Sequence, residues 1–217
     1  MTYKDVDLML EEGEGFELEF KRKVPGKEKI AKTLIAFANT RGGTILFGVD
    51  DDKRIVGVES EKEEIELIQN AGRYFCDPPI EPELEVVPYH GRDVIAAIVH
   101  ESDTKPHELL AKGNGEEISA RVFIRVNANT VVASKEVVRV LQAESGTAAP
   151  LRIIIGDIER RLFDHLDAHQ RITVKQFAEL VNISRRRASR TLVNLVRAGV
   201  IRIHTHEKED FYTRAFE

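Results

Sequence analysis

Two stretches of this 217-residue chain carry residue types at spacings that suit chemistry on a phosphate. The first is EGFELEFK, residues 14–21. In an extended strand Glu17, Glu19 and Lys21 share one face, and Phe16, Leu18 and Phe20 share the other. Glu14 sits between Gly13 and Gly15, in a loop free to swing its carboxylate toward Glu19. Further on, NTRGGTILFGVDDD places Asp51 just beyond an apolar strand. Carboxylate oxygens from separate loops suit Mg²⁺ or Mn²⁺, which keep waters and accept phosphate oxygens as further ligands. Such an ion would activate water and, with Lys21, neutralise charge on a scissile phosphate. The same residues also suit a solvated surface, because DDD at 50–52 is good turn chemistry without a metal.

The second stretch is ITVKQFAELVNISRRRASRTLVNLVRAG, near the C-terminus. Three consecutive arginines at a helix start oppose the helix dipole, so helix stability does not explain them; a nearby phosphate backbone does. The order of a helix (VKQFAELV), a short turn (NIS), a second helix and two strands is that of a winged helix-turn-helix. In such motifs the second helix enters the major groove with its N-terminal residues leading, here Arg185, Arg186, Arg187, Ser189 and Arg190. A solvated helix face and a dimerisation role are the competing readings. His204 and His206 are too few to hold a metal alone, and a solvated wing or a phosphate contact suits them better.

These groups need elements to position them. Residues 3–11 read as an entry helix, and FELEF alternates with the period of a half-buried strand. Ile30, Leu34, Phe37 and Ala38 recur at helical spacing until Gly42–Gly43 stop the helix. TILFGV reads as a central strand, DDDKR as a turn and IVGV as a return strand. A helix over 61–75, strands at LEVV, DVIAAIV and 121–126, and a helix over 135–143 complete the region. Arg125 on the last strand suits a phosphate or an ion pair equally, and Lys105, His107 and Lys112 fall in a loop-rich stretch that is either functional or merely mobile. Beyond ESGTAAP, a helix over 152–168 precedes the arginine-rich motif, with Ser184 as N-cap, Ala188, Leu192, Leu195 and Val196 as the buried stripe, and Gly199 as the stop. The expected fold class is α+β, with one domain over 1–144, a linker over 145–150 and a winged helix domain over 151–217.

Charge follows the same division. Residues 151–217 hold 13 Lys plus Arg against 9 Asp plus Glu, while residues 1–150 hold 19 against 28. A basic segment inside an acidic chain of net charge −5 implies a polyanionic partner. No apolar run is long enough for a membrane span, and the N-terminus has no apolar signal core. The single cysteine excludes an internal disulfide and fits a reducing cytoplasm. GxSxG, CxxC and GxxxxGK[ST] signatures are absent, so ATPase activity is not expected.

EGFELEFK, LIAFANTRGGTILFGVDDDKRIVGV (34–58) and RVFIRVNANTVVAS (121–134) together resemble the Schlafen AlbA-like domain family, over about residues 11–143. The resemblance implies a mixed-sheet AlbA-like domain that binds nucleic acid, often beside a C-terminal helix-turn-helix in proteins that look like regulators. Some members are metal-dependent endoribonucleases acting on structured RNA such as tRNA. Their active-site positions match Glu14, Glu19 and Asp51, as Mg²⁺ or Mn²⁺ ligands, with Lys21 as the accompanying base. Two features depart from those nucleases: one cysteine cannot build their Cys/His zinc finger, and the chain has one lobe where they have two. A homodimer would restore two lobes. The leading expectation is a cytoplasmic, dimeric, DNA-binding transcriptional regulator; the alternative is a Schlafen-like endoribonuclease, and a third is a nucleoid-associated protein without sequence preference.

Overall fold

Apolar residues at 6, 9 and 10 give the first helix, α1 (Tyr3–Glu12), one stripe to bury, and Val6 at its centre is fully enclosed. This computed structural model describes residues 1–110, 121–145, 155–206 and 209–215. The described chain forms two units, Met1–Val132 and Ala133–Glu217.

In the first unit α1 is followed by β1 (Leu18–Lys21), α2 (Lys27–Ala38), β2 (Gly43–Phe47), α3 (Glu61–Phe75), β3 (Cys76–Asp77), β4 (Glu83–Tyr89), β5 (Arg92–Val99), β6 (Glu108–Leu109), β7 (Arg121–Val126) and β8 (Asn129–Val132). One sheet has the order β1-β2-β5-β4, and a second has β3-β6-β7-β8. Strands β1 and β2 run parallel, which requires a crossover, and α2 supplies it. Helix α2 is buried from Ile30 through Ala38 except at Lys32, packed against residues of both sheets and of α3 in a core that includes Leu34, Phe37, Phe47, Ile68 and Phe123. The opposite face of the first sheet closes on α1 through Leu18, Phe20, Leu46 and Val94. Each such fully buried side chain contributes roughly 1.5–3 kcal/mol.

Helix α2 ends at Ala38 with Asn39 as its C-cap, ahead of the Gly42–Gly43 pair expected to stop it, and the pair is instead a packing requirement. Gly43 has φ of +155°, and a Cβ there would stand 2.5 Å from the Phe37 ring and 2.6 Å from Glu17 O. The next residue ties the two parallel strands, Thr44 N–H donating to Glu17 O at 2.8 Å.

Two expectations for this unit change. FELEF is not half-buried: Leu18, Glu19 and Phe20 are all enclosed, because the first sheet is covered on both faces. IVGV forms no return strand. Only a Val49–Ile55 bridge pairs there, and Val56 and Gly57 both donate to Gly48 O at 2.8 and 2.9 Å in a tight loop.

The second unit holds α4 (Lys135–Glu144), α5 (Asp157–His169), α6 (Val174–Val181), α7 (Arg185–Arg197) and the antiparallel pair β9 (Ile201–His204) and β10 (Phe211–Arg214). Its core gathers Leu162, Leu166, Phe177, Ala188, Leu192, Leu195 and Tyr212. Helix α4 goes with this unit, whereas the sequence pattern ends the first domain at residue 144. The reason is specific polar contact: Ser134, the N-cap of α4, donates to Asp210, and Glu136 and Arg139 both bond Ser189 of α7. Lys112, linker residues 146–150 and part of the HEKED turn lie outside the described residues.

Candidate nucleic-acid interface

Helices α6 and α7 are set by their caps. Thr173 and Gln176 form a capping box at the start of α6, the Thr173 N–H donating to Gln176 Oε1 at 2.9 Å. Asn182 ends α6 in the left-handed conformation, with φ of 53°. Ser184 then caps α7, its Oγ accepting from Arg187 N–H at 3.3 Å. With Ala188, Leu192 and Leu195 holding one side of α7 in the core, Arg185, Arg186, Arg187 and Arg190 stand in solvent. The first turn of α7 carries no acidic residue, and among the described residues these four guanidinium groups have no ion-pair partner. The arrangement concentrates uncompensated positive charge at the positive end of a helix, the electrostatics of an anion-binding face.

Ser189 does not share that exposure. It is 4% exposed, lying under α4: its hydroxyl donates to Glu136 Oε1 at 2.5 Å and accepts from Arg139 Nη1 at 2.7 Å. Helical position alone places it among the contacting residues, and the cover supplied by α4 takes it out. His204 is also engaged, its Nε2 2.8 Å from Thr213 Oγ1 and its ring stacked on Phe211.

The acidic group of the first unit is partly gathered. Glu14 Oε1 accepts the Phe20 N–H at 2.8 Å, so the Gly13–Gly15 loop does fold the carboxylate back onto β1. Lys21 Nζ lies 2.6 Å from Glu19 Oε1. Asp51 is exposed in the turn after Val49, whose N–H donates to Lys21 O at 3.2 Å, and Lys53 of that turn packs on Gly13. The four positions thus share one end of the β1–β2 pair. Their chemistry differs from that of a metal cage, however, because the Glu19 carboxylate is taken by two cations. Its second partner is Arg125, whose side chain is fully buried. Arg125 also donates to Gly15 O at 2.8 Å and Thr130 Oγ1 at 3.1 Å, and its guanidinium lies 4.7 Å from the centre of the Phe37 ring. Among the described residues no three His, Cys, Asp or Glu side chains are grouped to hold a metal ion. The carboxylates as arranged do not fit a three-ligand Mg²⁺ or Mn²⁺ site.

Arg125 is therefore structural, a role for which sequence offers only an even choice. Lys105 and His107 are structural too. Lys105 pairs with Glu101 and donates to Thr40 O at 3.3 Å. His107 Nδ1 is 2.7 Å from Pro78 O and its Nε2 2.6 Å from Ser102 Oγ, while Asn39, itself buried, accepts the His107 N–H at 2.7 Å. Burial holds the imidazole below its ordinary 6.5. On unfolding the ring takes up a proton that the folded chain refuses. The stability of neutral His107 is therefore full above 6.5 and declines as pH falls below it toward the lowered folded value. Thermal midpoints read between about pH 7.5 and 5 should drop on the acid side, and His107→Gln should flatten that limb. Cys76 is likewise sequestered, its thiol pushed by burial up to about 12, so it is not a reactive group.

The Schlafen AlbA_2 family model matches residues 14–134, more than half of the chain, including the acidic positions and Arg125. No curated protein matches the chain. Among solved structures, the DIP2311 protein of Corynebacterium diphtheriae is 21% identical over 65% of this chain, with a TM-score of 0.45. The match spans only 30% of that protein's chain. The N-terminal domain of a Nitrosomonas europaea protein, named as related to the ATP-dependent DNA helicase RecG, is 20% identical over 72% of this chain and 96% of its own, with a TM-score of 0.46. By its sequence over residues 14–134, the chain belongs to the Schlafen AlbA_2 family.

Proposed function

We propose that this protein is a cytoplasmic, dimeric, DNA-binding regulator whose C-terminal unit is a winged helix-turn-helix. Family membership points to nucleic acid as the partner, and no helix among the described residues is long and apolar enough to cross a membrane. The observation that carries the reading is the set of exposed, unpaired arginines at the capped start of α7. In this reading α7 enters the major groove, Arg185, Arg186, Arg187 and Arg190 meet phosphates and base edges, and the β9–β10 pair is the wing. The AlbA-like unit assembles two chains or senses a signal.

The nuclease alternative keeps one favourable observation, the collection of Glu14, Glu19, Lys21 and the Asp51 turn at one end of β1–β2. Against it stands the engagement of Glu19 by Arg125 and Lys21. One experiment separates the two. The full chain is titrated with a short duplex and with tRNA, with and without Mg²⁺ or Mn²⁺, while light scattering at micromolar concentration reads its mass. The regulator reading expects duplex binding that weakens steeply with salt, intact RNA, and the mass of two chains. Metal-dependent scission of the RNA without duplex binding would replace it with the nuclease reading.

A further inference from the structure

Helices α4 and α7 enclose a cleft of about 410 Å³, lined by Arg139 and Gln142 on one side and by Arg186, Arg190, Asn194 and Arg197 on the other. Among the described residues no carboxylate lines it. Four guanidinium groups line one small volume; Arg139 is engaged by Ser189 and Glu136, whereas Arg186 and Arg190 are exposed and make no ion pair among the described residues. Arginine is the side chain that meets phosphate oxygens with a rigid two-pronged fork. Arg139 is held in place from behind by Ser189 and by Glu136, 3.8 Å away, so its position does not depend on a ligand. The Gln142 and Asn194 amides add neutral donors and acceptors, and Val193 and Ala143 supply a small apolar patch. A volume of this size is that of a small-molecule site rather than of a groove for a duplex.

We propose that the α4–α7 cleft binds a small polyphosphate-bearing anion. Its phosphates lie among the four arginines, and a polar organic moiety, where the ligand has one, meets the amides. Arg186 and Arg190 also serve the nucleic-acid face proposed above, and insofar as the inference rests on that reading, an anion in the cleft withdraws them from DNA and weakens binding.

The test uses the full chain at low salt, with calorimetric titration of inorganic triphosphate and, separately, of ATP. Saturable one-to-one binding is expected. Gln142→Glu, an exposed position on α4 that keeps every arginine, should weaken it about tenfold by setting a carboxylate among the phosphates. Tighter binding of ATP than of triphosphate assigns the organic moiety to the amides; equal binding assigns the phosphates alone. Absence of binding overturns the proposal, as does undiminished binding to Gln142→Glu, which would place the anion on the exposed arginines outside the cleft. A duplex competition forms the second arm. If triphosphate binds and no duplex does, the cleft stands and the DNA reading falls; if a duplex binds and triphosphate does not, the reverse holds.

Discussion

Replacing Arg186 and Arg190 together by alanine should lower affinity for a short duplex on the order of fifty- to hundredfold near 0.1 M salt. The physical basis is counterion release. Removing one phosphate-binding cation should make the slope of log affinity against log salt shallower by about 0.9, so removing the pair should take away nearly two units. Both side chains are exposed and make no ion pair among the described residues, so their truncation breaks no salt bridge of the folded chain. Alanine is the stronger helix former, and taking positive charge from the first turns of α7 relieves the dipole. The variant is therefore expected to melt at the same temperature as the parent or slightly higher while binding less DNA. A uniform weakening across sequences marks phosphate contacts, and a weakening confined to one sequence marks base reading. Unchanged binding would show that α7 is not the reading element. Ser189→Ala is the informative companion: it should leave binding intact, because Ser189 lies beneath α4.

The contrast between Ser189 and its neighbours shows where sequence reasoning stops. Periodicity reveals the buried stripe of α7 and Ser184 marks its start, since both follow from residues within one turn of each other. The cover over Ser189 comes from Glu136 and Arg139, more than fifty positions away in the case of Glu136, and no local pattern encodes that packing. Arg125 is illegible in the sequence for a related reason. Arginine is almost never fully buried unless paired, and its partner Glu19 lies 106 positions distant. The alternation of FELEF correctly sets Glu19 and Lys21 together, whereas α2 ends at Ala38 with Asn39 as its C-cap, ahead of the glycine pair expected to stop it. What alternation cannot show is that the polar face of β1 is enclosed, so that its acid neutralises an interior cation.

Glu19→Ala is expected to destabilise the first unit by about 3–5 kcal/mol, read as a lowered midpoint of chemical denaturation. The substitution leaves the Arg125 guanidinium, whose side chain is 0% exposed, without its counter-charge. Carbonyls of Gly15 and Phe16 and the Thr130 hydroxyl remain as acceptors, but none of them carries charge. Glu19→Gln, which keeps the shape and an acceptor, should cost less. Combining Glu19→Ala with Arg125→Met should recover part of the stability, because removing both members of a buried pair leaves no orphaned ion and methionine refills most of the volume. This cycle bears directly on the nuclease alternative. An inactive Glu19→Ala would report an unfolded site, not a missing metal ligand. Asp51→Asn is the cleaner probe, since Asp51 is exposed and its substitution leaves the Arg125 network untouched. If Glu19→Ala instead leaves the midpoint unmoved, the ion pair is not what Glu19 supplies, and a ligand role for its carboxylate becomes the better account of EGFELEFK.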